Sequence, residues 1–597
     1  MIALLHDYGY KKILFLFLVA VGGCIFLFAS RKKLWERRYS FLFLLGVVAV
    51  TTLPELTGKG LAYGHDLLFH MNRVESLTQE LRLGHFPAKI PYLWMDGYGY
   101  PSSIMYNDIL LYIPAVLRLI GFDLKTVFLW YILLINAGTA LSSCGCFSKI
   151  FASERIGQIL SLVYCMSSYR LVDLYTRAAV GEYSAFCFFP VIALAMWELL
   201  YEEKVGLRQA ILLALGVSGV LSVHLLSLVS VGVGLIVVLL FHIKVVGKKN
   251  FLSVIFGAMG IFAALNAYYL VPFADYILTV PMKITGMSYS GTPFADQGSR
   301  AGVDQIFGVF RSVMPLKITD TQLSPGLVLL LTLVFALLLF VKGMGNRRML
   351  FLGGVSLFFL FLSSEMFPWE ELTDLFPFVR NVDVIQFSWR LMTLPVVFLT
   401  LLLGECLSAG FQDKNPKDRI SKCIVGGIVF LELFTVPFLY TDQNNYWAAF
   451  RDQWDLNLSY VGKGEYLRLG SAVPEEKADP IFYDLEGSVL GFHGTFCLLS
   501  VQDAGKEAFV QIPVFNYKGY IAENEVTGER LTIVDGDNNM IRVLIPEGYS
   551  GNVLVMFREL WYWRLAETVS LLSALILVIG GTICLHGARR CRKNAVA

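Results

Sequence analysis

Thirteen apolar runs constrain this chain more than any other feature, because a soluble domain cannot bury so many. They lie near 13–30, 40–54, 127–147, 156–169, 184–201, 209–224, 226–242, 251–272, 326–342, 349–363, 389–408, 422–440 and 565–587. The connections between them differ in charge. Arg31, Lys32, Lys33, Arg37 and Arg38 follow the first run, Lys149 and Arg155 the third, and Lys244, Lys248 and Lys249 the seventh. Lys342, Arg347 and Arg348 follow the ninth, and Lys414, Lys417, Arg419 and Lys422 the eleventh. Arg589, Arg590, Arg592 and Lys593 close the chain. The positive-inside rule gathers all of them on one side only if the N-terminus lies outside and the C-terminus in the cytoplasm. Segment 107–122 is apolar too, but counting it as a span would put Lys149 and Arg155 outside. It reads as an interfacial or re-entrant helix on the outer surface.

With 56% hydrophobic and 16% charged residues over 597 positions, the expectation is a polytopic α-helical membrane protein of the cell membrane with about 13 spans. A net charge of +2 gives no basic field for nucleic acid. The ten cysteines show neither zinc spacing nor a disulfide framework, and most fall in or beside apolar runs. The first run lacks a small-residue cleavage pattern before Arg31, so it is expected to be retained. No P-loop, G-x-S-x-G, H-E-x-x-H or Rossmann glycine pattern stands in context, which argues against nucleotide hydrolysis.

The outer face then carries loops near 55–126, 170–183, 273–325 and 364–388, where a site would be built. The chain divides into a multi-span region 1–440, a polar outer domain 441–560 and a last span with a basic tail, 561–597. The outer domain reads as a small β-sandwich, with strands at 509–514, 531–534, 541–545 and 553–557 and a turn at 535–539. It shows no catalytic cluster and reads as a lid, spacer or binding module. Trp561, Tyr562, Trp563 and Arg564 form an interfacial belt at the last span.

Chemistry concentrates at the head of the first outer loop, in His65-Asp66-Leu67-Leu68-Phe69-His70. A helix begun at Asp66 places Asp66, His70 and Arg73 on one face at i, i+4 and i+7. Asp66 as a plain helix cap is the alternative. Farther along, Asp96-Gly97-Tyr98-Gly99-Tyr100-Pro101 is an aromatic turn, suited to belt duty or to stacking on sugar, and Tyr106 leads into the interfacial segment. Glu182, at the outer start of the fifth span, is placed to pair with Arg177. Arg390 opens a span on the outer side, as a phosphate ligand at headgroup depth or a snorkelling anchor beside Trp389. His224 lies at an outer turn, where hydrogen-bonded packing competes with a binding role. No metal centre is assigned. A divalent metal on Asp66, His70, Glu182 and His224 is the alternative, weakened because its ligands sit on separate helices.

The run Gly64-His65-Asp66-Leu67-Leu68-Phe69-His70-Met71-Asn72-Arg73, followed by Gly84-His85-Phe86-Pro87 and Gly97-Tyr98-Gly99-Tyr100-Pro101, resembles bacterial membrane proteins of the YfhO-like kind. Similar proteins carry the label "6-pyruvoyl-tetrahydropterin synthase-related" membrane domain. Gln386-Phe387-Ser388-Trp389-Arg390 is similar to that group's Q-F-x-W-R element. The stretch from Val514 to Leu571 resembles its closing β-domain and last helix. The group in turn resembles the GT-C glycosyltransferases, from which this chain departs by an extra apparent span before the loop.

That resemblance implies a GT-C-like fold and sugar transfer from a polyprenyl-phosphate donor to a cell-envelope glycopolymer or glycolipid. It implies Asp66 as the base and a second acid from the next outer loop, Glu182, with Asp173 as its rival. His70, Arg73, Tyr106, Arg177, His224 and Arg390 are the candidate substrate contacts. Two other readings stand beside it: a transporter or flippase of lipid-linked glycans, and a non-catalytic envelope scaffold whose β-domain binds glycan.

Overall fold

The computed structural model describes residues 37–57, 61, 64–286, 294, 299–307, 323–410, 426–428, 430–432 and 464–594. The first apolar run, most of that near 422–440, and the start of the expected outer domain lie outside the described residues. Among the described residues, four helices are long and apolar enough to cross a membrane: Leu124–Ile150, Phe251–Thr279, Ser388–Gly410 and Trp561–Ile583. Shorter apolar helices accompany them, among them Phe189–Tyr201, Leu207–Leu221, Leu225–Phe241 and Leu327–Val341. The chain forms two compact units.

The first unit is drawn from Met1–His70, Phe122–Phe256 and Ser288–Asp455, and its described part is a helical bundle. Ser388–Gly410 is its axis, since 89% of that helix's apolar window is buried. Two helices are shorter than the sequence suggests. Glu154–Cys165 has 12 residues and Phe189–Tyr201 has 13. At 1.5 Å per residue each reaches about 20 Å, well short of a 30 Å hydrocarbon core. Between them the chain makes two small helices, Ser168–Tyr175 and Val180–Ala185. Every residue from 156 to 186 is buried except Thr176. The expected outer loop at 170–183 is therefore interior. Backbone this irregular survives in a membrane bundle only where surrounding protein satisfies it.

Near the other ends of these helices, charge is closed off pairwise. Glu198 accepts both Nη groups of Arg208 at 2.8 and 2.7 Å, and Glu405 meets Arg348 at 3.1 Å and the amide of Asn346 at 2.9 Å. Glu405, which the sequence leaves as a mid-span charge, is thus a partnered residue.

The second unit joins Met71–Gly121, Gly257–Met287 and Leu456–Ala597. Its β-domain has strands β1 (Ile481–Tyr483), β2 (Glu486–His493), β3 (Phe496–Gln502), β4 (Phe509–Phe515), β5 (Tyr520–Asn524), β6 (Arg530–Asp535), β7 (Met540–Leu544) and β8 (Gly551–Phe557). They form one antiparallel sheet in the order β1-β4-β7-β6-β5-β8-β3-β2. Leu499, Val501, Val553 and Val555 from one half share a core with Val510, Ile512, Ile541 and Val543 from the other. The expected sandwich is thus one continuous sheet folded over a single core. Cys497 belongs to that core and is a free thiol.

The aromatic turn of the first loop is core as well, not a sugar platform. Tyr98 is 3% exposed and Tyr100 1%. The Tyr98 carbonyl accepts from Phe515 N at 3.0 Å, and its hydroxyl accepts from Ala478 N at 2.9 Å. The Tyr100 hydroxyl accepts from Tyr466 N at 3.0 Å, and the two rings stack at 5.5 Å. Gly97 and Gly99 have φ of 97° and 82°, conformations that a side chain would strain, so the turn needs glycine at both places. Tyr98→Ala should destabilise this unit by about 3–5 kcal/mol, the range for emptying a buried aromatic site. Faster protease cleavage within 71–121 in otherwise intact protein is the measurement.

Segment 107–122 does contain a short helix, Tyr112–Leu119, with Tyr112 and Ala115 buried and Ile113, Val116 and Leu119 exposed. Its apolar outer stripe suits an interfacial position.

Candidate functional site

The site lies in the first unit, where the two small helices bring charges into the bundle. Arg177 is its hub. Its Nη1 donates to Asp173 Oδ1 and, at 2.9 Å, to Glu182 Oε2, while its guanidinium lies 4.4 Å from the centre of the Trp389 ring. Glu182 is 1% exposed and fully engaged. Its Oε1 accepts from the Tyr169 hydroxyl at 2.5 Å, and its Oε2 stands 3.5 Å from Arg390 Nε. Burial would raise the Glu182 carboxyl, but Arg177, Arg390 and His224 outweigh it and hold it below the usual carboxylate range. Asp173 moves the other way. Burial and the neighbouring Glu182 charge raise it, against the pull of Arg177.

Asp173 Oδ2 is buried with no hydrogen-bond partner among the described residues. Asp173 also lines a small void of about 10 Å³ with Leu67, Leu174, Ala178, Val180 and Tyr183. Arg170, fully buried, donates to Cys165 O and Asn136 Oδ1, both at 2.7 Å, and lies 4.7 Å from the Tyr183 ring centre. No carboxylate pairs with it among the described residues. The buried layer therefore holds three guanidiniums, Arg170, Arg177 and Arg390, to two carboxyls.

Asp66 is tied to this layer through the backbone. Its N–H donates to the Arg177 carbonyl at 2.8 Å. Gly64 makes the approach possible, since a Cβ there would sit 2.5 Å from Ala178 N. The Asp66 carboxylate is half-buried and takes no hydrogen bond from any described residue. It precedes the Leu67–Arg82 helix, and its carbonyl accepts from His70 N at 3.2 Å. Asp66 thus stands at the N-cap position of that helix, with no side-chain cap bond to a described residue.

The other candidates divide. Arg390 faces Glu182, and its Nη1 donates to Ile385 O at 3.0 Å and Gln386 Oε1 at 2.7 Å. The Nη2 groups of Arg390 and Arg177 make no hydrogen bond to a described residue. His224 caps the Leu225–Phe241 helix, with Nδ1 accepting from Ser227 N at 3.2 Å, as hydrogen-bonded packing would have it. His70 is buried, edge-on to Phe69.

Arg73 and Tyr106 belong to the second unit. There Arg73 Nε donates to Asp108 at 2.8 Å and Nη2 to Asn107 O at 2.9 Å, with the guanidinium 3.9 Å from the Tyr106 ring centre. Those bonds commit Arg73 to a buried cluster, with the half-buried Tyr106 ring against its guanidinium. No group of three or more metal-ligating side chains is found among the described residues.

Sequence reasoning gave Asp173 second place and passed over Tyr169, Arg170 and Asn136. A signal existed: Arg170, Asp173 and Arg177 recur at i, i+3 and i+7 in an apolar stretch. A narrow cleft of about 90 Å³ begins at Phe189 and Leu394, four residues beyond Arg390, and runs past Ile192, Met196 and Leu401 to Tyr201, with almost wholly apolar walls.

No family model and no curated protein matches this chain.

Proposed function

We propose that this protein is a membrane glycosyltransferase of GT-C-like build, with about thirteen spans and its site on the extracytoplasmic side. It moves a sugar from a polyprenyl-phosphate carrier to a hydroxyl of a cell-envelope glycopolymer or glycolipid. The observation that carries this reading is a half-buried Asp66, its carboxylate without a hydrogen bond to any described residue, fixed by its backbone to a cation-rich buried layer.

Each group then has a task. Asp66 takes the proton of the acceptor hydroxyl as its oxygen bonds to the anomeric carbon. The bond from that carbon to the phosphate oxygen breaks, and the phosphate leaves with the electron pair. The open Nη2 groups of Arg390 and Arg177 suit that anion. Glu182 is a positioning residue under this scheme, because every hydrogen bond it makes orients an arginine or Tyr169. The apolar cleft beyond Arg390 matches a long prenyl chain in chemistry. No metal enters the scheme.

Asp66→Asn, which keeps size and shape, is expected to lower transfer from labelled polyprenyl-phosphate sugar in membranes by about 10²–10⁴-fold, the range for losing a general base. Thermal stability in nanodiscs should not change. Undiminished transfer would remove Asp66 from the mechanism.

A further inference from the structure

We propose that the outer face of the β1-β4-β7 half of the sheet binds a glycan chain, at a site of its own. The identity of the ligand as an acceptor-type glycan rests on the transfer reading. The geometry of the face does not.

Strand alternation builds the face. Val510, Ile512, Ile541 and Val543 point into the core, so their neighbours point out. The register sets Tyr483, Phe509 and Leu544 side by side in one row, and Ile481, Gln511 and Arg542 in the next. The first row is apolar and open. Tyr483 is 48% exposed and Leu544 40%, and the Tyr483 and Phe509 rings stack at 4.8 Å.

In the second row Ile481 is exposed and apolar, and Gln511, itself buried, fixes the half-exposed Arg542. Gln511 Oε1 accepts from Arg542 Nη2 at 2.8 Å and from Asp537 N at 3.0 Å, and its Nε2 donates to Asp537 Oδ2 at 3.3 Å. Arg542 is thereby held with its guanidinium 4.3 Å from the Phe509 ring centre. Its Nη1 makes no hydrogen bond to a described residue, and the Asp537 side chain is 73% exposed.

A pyranose ring has matching parts, an apolar C–H face and a rim of hydroxyls that both donate and accept. An aromatic row beside a fixed guanidinium and carboxylate satisfies both. Other occupants fit less well. The strand that leads into the Trp561–Asn594 helix is β8, which pairs with β3 and β5 in the opposite half. Edge-to-edge pairing with a second copy would rely on β1, which is three residues long.

The test uses the full chain in nanodiscs, immobilised and exposed to maltohexaose, chitohexaose and galactohexaose. Saturable binding of at least one probe is expected. Tyr483→Ala and Arg542→Lys should each weaken it about tenfold or more, the scale of truncating a main contact. Asp66→Asn should bind as the parent does while failing to transfer, which separates this site from the catalytic reading. Equal binding by Tyr483→Ala, or binding of none of the probes, overturns the proposal. So does a dimer in light scattering that Tyr483→Ala turns into a monomer, since the face would then belong to a second copy.

Discussion

Arg177→Met should destabilise the helical unit by about 3–5 kcal/mol. The reason is what remains behind. Glu182 and Asp173 are both fully enclosed, and without Arg177 the first keeps only Arg390 at 3.5 Å and the Tyr169 hydroxyl, while Asp173 loses its one ion-pair partner. A buried carboxylate deprived of its cation costs far more than the original pair contributes. The packing of the guanidinium on Trp389 is lost as well. Thermal unfolding in nanodiscs reads the effect. Adding Glu182→Gln to Arg177→Met should recover part of the loss, because it removes the stranded charge. A double variant as unstable as the single would mean that packing, not charge, dominates.

Gly64→Ala should lower transfer about a hundredfold while the protein still inserts, the scale set by an ångström of misplacement at a reacting group. A methyl at Gly64 would lie 2.5 Å from Ala178 N and 2.6 Å from both Ala178 Cβ and the Arg177 carbonyl carbon. Two of those atoms are backbone, so the contact cannot relax by a rotamer change. The strand of chain carrying Asp66 must move off the Arg177 carbonyl, and its carboxylate moves with it. The discriminating measurement is kcat against KM. Displacement of the base lowers kcat, whereas a general loosening of the substrate site raises KM. An unchanged kcat would show that the approach of the two segments is only structural.

The helical class, with helices long and apolar enough to cross a membrane, was legible from the apolar runs, and the later strands from their alternation. Phe509–Phe515, Arg530–Asp535, Met540–Leu544 and Gly551–Phe557 all lie where the pattern puts them. The earlier strands escaped notice for a local reason. β2 carries Gly487 and Gly491, and a register shift between Val489 and Gly491 breaks its period of two. β5, Tyr520–Asn524, ends in Glu523 and Asn524 and shows no apolar–polar alternation.

The site was half legible. Asp66, Arg177, Glu182 and Arg390 do share one unit, but charge counting gave no hint that 170–183 turns inward. A segment rich in arginine and carboxylate reads as exposed until its charges are seen to neutralise one another. Arg73 misled for the opposite reason. Helical spacing aligned it with Asp66, while its partner Asp108 lies 35 residues away and leaves no local trace.

The docking of the Gly97–Pro101 turn bears on how the protein is made. Tyr98 and Tyr100 are synthesised early, yet Ala478 and Tyr466, to which they bond, follow 380 and 366 residues later. At a translation rate of about 5–20 residues per second the ribosome needs tens of seconds to cover that interval. Throughout it the first loop has left the ribosome without the surface that completes its fold. A nascent chain arrested before residue 464 would therefore display those tyrosines to proteases and chaperones. Quality control acting on that loop would reject any product that lacks its last quarter, whatever the state of its helices.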